Sequence, residues 1–482
     1  MPGTPARPNS RHPRPQRRPH AGPQRSSAPR PPKAKSPLEL GLDEAAALSA
    51  ETADAAPPSF HALGLPEPLI TALARRGVTA PFAIQARALP DAIAGRDVLG
   101  RGQTGSGKTL AFGLPMLARL DRIPSVPKAP LGLVLVPTRE LAQQVADALA
   151  PLGQALGIRV ATVYGGAPMG RQIDQLRRGV HVVIATPGRL QDLVDRGAAD
   201  LSQVRITVLD EADHMADLGF MPAVTALLDL TPQTGQRMLF SATLDRGVDT
   251  LALRYLSNPA MHAVAAAASP VDTMDHLVFA VARETKVDVA AEIAARPART
   301  LFFVRTKHGA DRLAMQLSAS GVSATAIHGN LNQGQRRRAL EAFSDGVHRV
   351  LVATDVAARG IHVDDVDLVV HFDPPQDHKD YLHRSGRTAR AGARGTVLSL
   401  LLSSEVRGHQ RLRELAGVEA SATSVVPGHP AVRALAESGE AIVVTPRAPE
   451  TTRPKRPYGA RPPQRAGAPR STAPRRVSAP RV

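Results

Sequence analysis

The sequence predicts two α/β domains, each a parallel sheet flanked by helices, carried between two basic tails. Three observations lead there. Short apolar, β-rich runs alternate with longer helical stretches, which is the pattern of strands buried under helices on both faces. The alternation pauses at 265–275 and then restarts, so two units are expected. The formal charge of +17 in 482 residues is also uneven. Residues 1–36 hold seven Arg, two Lys and no acid, and 447–482 hold nine Arg and one Lys against Glu450. The stretch between is nearly neutral.

The strands of the first domain are expected at "LGLVLVP" (131–137), "IRVATVYGG" (158–166), "HVVIATPG" (181–188), "RITVLDEAD" (205–213) and "RMLFSAT" (237–243). A helical pattern such as 139–156 separates two of them. In the second domain they are expected at "LFFVRT" (301–306), "ATAIHG" (324–329), "RVLVATD" (349–355), "LVVHFD" (368–373) and "GTVLSLLLS" (395–403). The expected boundaries are a disordered Pro/Arg-rich tail over 1–58, domain 1 over 59–264, a linker over 265–275, domain 2 over 276–425 and a disordered basic tail over 426–482. Proline, few apolar residues and unbroken positive sign leave the tails no core to form. Such tails suit polyanions, because each neutralised phosphate releases counterions. The alternative for them is a solubilising role.

Composition excludes some chemistry. The chain has no Cys, so disulfides, thiolate catalysis and Cys-ligated zinc are out. No run approaches the ~20 apolar residues of a membrane helix. The basic N-terminus lacks an apolar segment of the secretory kind. These features lead to the expectation of a soluble, cytoplasmic protein with no membrane partner.

Two stretches carry chemistry. "GQTGSGKT" (102–109) fits G-x-x-x-x-G-K-[ST], a loop whose backbone N–H groups cradle phosphates at a helix N-terminus. Lys108 is expected to reach the β- and γ-phosphates and Thr109 to ligand Mg²⁺. "TVLDEADH" (207–214) drives an apolar strand into three acids within four positions. Taken alone it reads as a strand meeting a solvated turn. Beside a phosphate loop, Asp210 becomes the Mg²⁺ ligand, Glu211 the group that polarises the attacking water, and Asp213 the acid that orients "SAT" (241–243). The partners this reading calls for are ATP and Mg²⁺.

The motifs form an ordered set. "GVTAPFAIQ" (77–85) with Phe60 upstream is followed by the phosphate loop, "PTREL" (137–141), "GG" (165–166), "TPGR" (186–189), DEAD and SAT. Then come "FVRT" (303–306), "QGQR" (333–336), "VATDVAARG" (352–360) and "HRSGRTAR" (383–390). Over residues 59–425 the chain resembles the DEAD-box ATP-dependent RNA helicases of superfamily 2. The wording "HGNLNQGQRRRALEAF" is similar to the bacterial RhlE-type branch.

The resemblance implies two RecA-like domains and ATP-driven local unwinding or remodelling of RNA, with ATP and RNA together closing the domains. It implies that Gln85 reads adenine, that Phe60 stacks on the base, and that Gly102, Gln103, Thr104, Gly105, Ser106, Gly107, Lys108, Thr109 and Gly360 hold the nucleotide. Arg387 and Arg390 match the family's arginine fingers. Asp213, Ser241, Thr243 and His383 match its coupling positions. Pro137, Thr138, Arg139, Gly166, Thr186, Pro187, Arg189, Gln333, Arg336 and Thr354 match positions on the RNA backbone. Contacts of that kind carry no base information. The chain departs from the family pattern at Gly102 (commonly Ala), Phe82 and Ala83 (usually Thr-Pro), His362 (usually Asp) and Ala389 (commonly Gly). The Gly102 change is expected to be benign. At Ala389 the added methyl is harmless if φ is negative and tightens the turn otherwise.

Overall fold

The computed structural model describes residues 35–51, 58–102, 105–244, 246–264, 274–358, 366–389 and 394–439. Most of both tails, most of the 265–275 linker, Gln103, Thr104, Gly360, His362 and Arg390 lie outside the described residues.

Domain 1 carries strands β1 (Val98–Arg101), β2 (Gly132–Leu135), β3 (Val160–Val163), β4 (Val182–Ala185), β5 (Ile206–Asp210), β6 (Gln236–Ser241) and β7 (Ala260–Ala263). Its helices are α1 (Pro37–Glu51), α2 (Glu67–Ala74), α3 (Ala83–Ile93), α4 (Lys108–Leu120), α5 (Arg139–Gln154), α6 (Met169–Arg177), α7 (Pro187–Asp195), α8 (Ala212–Asp217), α9 (Met221–Asp229) and α10 (Arg246–Tyr255). The sheet order is β3-β4-β2-β5-β6-β1-β7, paired in parallel throughout. Alternate residues feed two cores. Val98, Val134, Ile184, Val208 and Met238 point into one, and Leu99, Leu135, Val183, Leu209 and Leu239 into the other. That two-sided burial is why these strands read as unbroken apolar runs.

Domain 2 carries β8 (Met274–Val281), β9 (Thr300–Val304), β10 (Ala324–Ile327), β11 (Val350–Thr354), β12 (Leu368–His371), β13 (Gly395–Leu402) and β14 (Ala422–Ser424). Its helices are α11 (Lys286–Ala294), α12 (Lys307–Ala319), α13 (Gln333–Ser344), α14 (Asp355–Ala358), α15 (His378–Ser385), α16 (Val406–Leu415) and α17 (Pro430–Ala436). The sheet order, β10-β11-β9-β12-β13-β8-β14, has the same pattern of adjacent and crossed-over strands. The expected fold class, two helix-flanked parallel sheets, is the one found.

Three boundaries need correction. Residues 37–51, expected to be disordered, form α1. Ser36 and Glu39 cap it reciprocally: Glu39 N donates to Ser36 Oγ at 3.2 Å and Ser36 N donates to Glu39 Oε2 at 2.8 Å. Leu38 and Leu42 bury themselves in the domain 1 core. Gly41 lies so close to β7 that a Cβ there would meet Met261 Sδ at 2.4 Å. Arg101 at the end of β1 donates to Asp43 Oδ1 at 2.7 Å, and Arg87 of α3 donates to the Leu48 carbonyl at 2.9 Å. At the other end, residues expected in the C-terminal tail form α17, whose Val432 and Leu435 join the domain 2 core. Arg296 holds Asp367 and the Ser438 carbonyl, tying the chain down beyond that helix. Finally, β8 begins inside the expected linker, at Met274.

Domain 2 buries an unusual cluster of rings. His371 packs edge-on against Tyr381, with centroids 4.9 Å apart, and Tyr381 lies 5.9 Å from His409. Neither ring nitrogen of His371 or His409 has a hydrogen-bond partner among the described residues. Burial therefore holds His371 well below the usual histidine range and pushes His409 down to about 4. The unfolded chain takes up protons near pH ~6.5 and the folded domain does not. Stability is thus fully present above that pH and falls as pH drops toward 4, by about 1.4 kcal/mol per pH unit for each imidazole. Thermal melts from pH 7.5 to 4.5 are expected to show that slope, with His409→Gln removing about half of it. A melting midpoint independent of pH in this window contradicts the assignment.

Candidate functional site

The carboxyl-terminal edge of the domain 1 sheet gathers the expected nucleotide residues. Strands β5, β6 and β1 are neighbours, so Asp210, Ser241 and the loop after Arg101 emerge side by side. Gly102 N donates to the Ser241 carbonyl at 3.2 Å, continuing the pairing into the loop. Gly107 sits at φ +87° as the N-cap of α4. A Cβ on it would fall 2.5 Å from Gln85 Nε2 and 2.7 Å from the Phe82 ring, so only glycine fits. Gly105 also has a positive φ, of 89°. Lys108, 7% exposed, folds back to donate from Nζ to the Gly102 carbonyl at 2.7 Å. Thr109 follows on the first turn of α4. A Cβ at Gly102 would meet Ser106 Oγ at 2.8 Å, so the family's usual Ala requires Ser106 to shift and Gly102 relieves that crowding.

The acids at the end of β5 are buried. Glu211 adopts φ 52° and ψ 53°, left-handed for a non-glycine residue. Its N–H donates to Asp210 Oδ1 at 3.1 Å, and its Oε2 lies 3.2 Å from His214 Nδ1. Burial pushes the Asp210 carboxyl up, against the pull of Lys108, and Glu211 beside it pushes the same way. For Glu211, burial also pushes up, but the His214 hydrogen bond and Lys108 outweigh it and hold the group low. Adjacent acids thus split their affinities for a proton. Asp213 Oδ2 accepts from both Thr243 N and Thr243 Oγ1 at 2.9 Å, Asp213 N donates to Ser241 Oγ at 3.2 Å, and Ser241 Oγ donates to the Thr243 carbonyl at 2.8 Å. The structure therefore brings Asp213, Ser241 and Thr243 into one network.

Two expectations near α3 change. Phe60 is 3% exposed and packs in the apolar core, whereas Phe82, 59% exposed, is the aromatic at the loop. Gln85, 2% exposed, uses its amide within the protein: Oε1 accepts from Phe82 N and Nε2 donates to the Gly107 carbonyl, both at 3.0 Å. One N–H and one lone pair remain to read a base edge. Gln85 also holds the phosphate loop to α3, a role that the sequence pattern did not reveal.

The other half of the sheet, β3-β4-β2, carries the residues matched to RNA. Pro137 and Thr138 follow β2, and Thr138 Oγ1 caps α5 by accepting from Leu141 N at 3.2 Å. The Arg139 guanidinium lies against Gly166, where a Cβ would fall 2.3 Å from Nη1. Thr186 stands at the N-cap position of α7 after β4, with no capping bond from its side chain, and Pro187 is the helix's first residue. Arg189 Nη1 donates to the Ala167 carbonyl at 3.2 Å. In domain 2, Gln333 and Arg336 lie on the first turn of α13, which follows β10, and Thr354 ends the adjacent β11. His383 lies on α15, and Arg387 in the turn after it. Arg384, next to His383, makes a two-pronged pair with Asp355 at 2.5 and 2.8 Å. That part-buried pair, which the sequence pattern did not reveal, joins the 352–360 and 383–390 stretches.

Residues 82–251 match the DEAD/DEAH box helicase family model, and 285–392 match the helicase conserved C-terminal domain. The DEAD-box ATP-dependent RNA helicase CshA of Geobacillus kaustophilus is 38% identical over 350 residues, 72% of this chain and 74% of that protein. The chain belongs to the DEAD-box RNA helicases. DEAD-box ATP-dependent RNA helicase 9 of Oryza sativa subsp. japonica is 41% identical over 344 residues, 70% of this chain. The match spans about half of that relative's length, 54%. Among solved structures, S. cerevisiae Dbp5 bound to RNA and ADP BeF3 aligns at TM-score 0.66 and 30% identity, covering 76% of this chain and 95% of that one.

Within this DEAD-box chain the departure at Ala389 has a cost. Its φ is +53°, so the methyl sits in the left-handed region where the family's glycine would be unstrained. Ala389→Gly is expected to leave stability unchanged or raise it by up to about 1 kcal/mol, read by urea unfolding. A loss of 1 kcal/mol or more contradicts the assigned backbone geometry.

Proposed function

We propose that this chain is an RNA-stimulated ATPase that opens or remodels RNA duplexes or RNA–protein complexes locally, converting ATP and water to ADP and phosphate. The observation that carries the reading is the convergence of Lys108, Asp210, Glu211 and the Asp213–Thr243 network on one sheet edge, with Arg139, Gly166, Thr186 and Arg189 on the other half of the same edge. The names of the relatives and the RNA carried by the yeast neighbour point the same way.

In this reading Gly102–Thr109 bind the phosphates, Gln85 and Phe82 flank the base, and Glu211 takes a hydrogen bond from the attacking water. Arg387 and Arg390 are the candidate cations for charge developing on the γ-phosphate. The donor set fits Mg²⁺: a carboxylate, Asp210, whose affinity for a proton is raised by burial and by the neighbouring Glu211, and the Thr109 hydroxyl at the start of α4. Mg²⁺ held there would neutralise charge on the phosphate oxygens. Few protein ligands would suffice, because Mg²⁺ is commonly held by one or two carboxylates together with substrate phosphates. The proposed RNA contacts are to backbone, so the core discriminates little among sequences, and the 2′-OH is what separates RNA from DNA.

Four finer readings belong with this proposal. The wording of 328–343 supports an RhlE-type member of the family. The two basic tails support added nonspecific RNA affinity. Ribosomes or RNA-degradation machinery are candidate partners. A cytoplasmic, membrane-free setting fits a chain in which no helix of the described residues is long and apolar enough to cross a membrane.

Lys108→Ala is expected to abolish ATP turnover. Glu211→Gln is expected to retain ATP binding and lose hydrolysis by about 10²–10³-fold or more. Poly(U) should stimulate hydrolysis more than poly(dT). Near-normal hydrolysis by Glu211→Gln, or equal stimulation by the two polymers, overturns the respective assignment. Removing residues 1–34 and 440–482 should preserve RNA-stimulated turnover but reduce the slope of log affinity against log salt, since that slope counts the phosphates neutralised. Equal slopes with and without the tails exclude them from RNA binding.

A further inference from the structure

His214 lies one helical turn beyond Glu211, on α8, and the two side chains are buried together, 8% and 12% exposed. Its Nδ1 is 3.2 Å from Glu211 Oε2. A carboxylate only accepts, so Nδ1 must carry the proton and donate. The opposite nitrogen, Nε2, is buried with no hydrogen-bond partner among the described residues. Leaving a ring nitrogen unsatisfied costs about 1–3 kcal/mol. A leucine or phenylalanine here would avoid that cost. The ring is therefore poorly explained as packing, and the bond to Glu211 is what it offers in return.

Glu211 has particular need of a partner. Its backbone is in the left-handed region, at φ 52° and ψ 53°, which costs about 1–2 kcal/mol for an L-residue. Strain of this kind persists only where the surroundings over-determine it. The Glu211 side chain has three rotatable bonds, and its reach toward a water depends on all three. His214 engages one carboxylate oxygen, Oε2, and among the described residues no hydrogen bond engages Oε1. Holding Oε2 fixes the plane of the carboxylate and so fixes where Oε1 points.

We propose that His214 is a positioning residue for hydrolysis: it clamps Glu211 Oε2 through Nδ1–H, so that the other carboxylate oxygen is presented to the attacking water. The inference rests on the assignment of Glu211 in the preceding section. It assigns His214 no contact with ATP and no proton transfer of its own. It fits the direction of the Glu211 affinity for protons, which the His214 bond helps to hold low, keeping the group an acceptor. The effect is expected on turnover and not on nucleotide binding, because the phosphate loop is built on other contacts, those of Lys108 to Gly102 and Gln85 to Gly107.

The test is steady-state RNA-stimulated ATP hydrolysis by the full chain, comparing His214→Leu with His214→Asn. The two side chains have nearly the same size and shape, and the Asn amide can place an N–H donor close to where Nδ1 stood. His214→Leu is expected to lower kcat by about 10–100-fold, the scale of losing orientation at a reacting group, with KM for ATP changed by less than about threefold. His214→Asn is expected to recover most of the loss. In a Glu211→Gln background, followed by single-turnover hydrolysis, His214→Leu is expected to add nothing further. His214→Phe, which keeps the ring volume and removes the donor, is the second variant and should match His214→Leu. A kcat for His214→Leu and His214→Phe equal to wild type, equal losses in the Leu and Asn variants, or a change confined to KM overturns the proposal. An inactive Glu211→Gln beside a normal His214→Leu sinks this inference alone. An active Glu211→Gln sinks the assignment of Glu211 and this inference with it.

Discussion

Three carboxylates buried within four residues at the end of β5 are the constraint on which the rest of domain 1 depends. Taken as whole residues, Asp210, Glu211 and Asp213 are each less than a tenth exposed. Burying charge is unfavourable unless each group is separately compensated. The compensation differs among them. The charge of Lys108 acts on both Asp210 and Glu211, His214 hydrogen-bonds Glu211, and Thr243 with Ser241 satisfies Asp213. These partners come from α4, α8 and the end of β6. The order β5-β6-β1 is what brings them within reach, since β6 delivers Ser241 and β1 delivers the loop that carries Lys108. A sheet with these strands in another order would leave the acids unpaired.

The same sheet separates two kinds of chemistry. Its β5-β6-β1 half ends in acids, a lysine and a glycine loop. Its β3-β4-β2 half ends in helix N-termini and arginines: the Thr138 cap of α5, Thr186 at the start of α7, Arg139 against Gly166 and Arg189 against the Ala167 carbonyl. Both sets lie where strands end and helices begin, the usual ligand edge of a parallel α/β sheet. Domain 2 has the same sheet pattern but spends its buried polar groups differently. Its Arg384–Asp355 pair ties the helix carrying His383 to the end of the strand carrying Thr354.

Much of this was legible in the residues, for physical reasons. Long apolar runs such as 205–210 announced strands buried on both faces, and the glycine and lysine spacing of 102–109 announced a phosphate loop. Strands β1 and β7 did not stand out because Gly100, Arg101 and His262 interrupt their apolar runs, whereas the equally short β2 lies inside a longer one, and β14 has three residues only. Helix α1 was hidden by its proline-rich surroundings, although Ser36 and Glu39 have the spacing of a reciprocal cap. Phe60 and Phe82 could not be told apart by type, because exposure is a tertiary property. The φ of Ala389 depends on the fold around it, as does the meeting of His214 with Glu211. Arg390, Gly360 and His362 lie outside the described residues.

Lys108 is an internal counter-charge to the acids at the end of β5, beside the role proposed for it toward phosphate. The most direct measurement is the thermal midpoint of domain 1 without nucleotide in wild type, Lys108→Met, Asp210→Asn and the double variant. Met keeps the length of the side chain and removes its charge. The account predicts that Lys108→Met lowers the midpoint by several degrees, at about 2–4 °C per kcal/mol for a domain of this size. It also predicts that adding Asp210→Asn restores most of the loss, since the pair is coupled. An unchanged midpoint in Lys108→Met, or losses that simply add in the double variant, would contradict it.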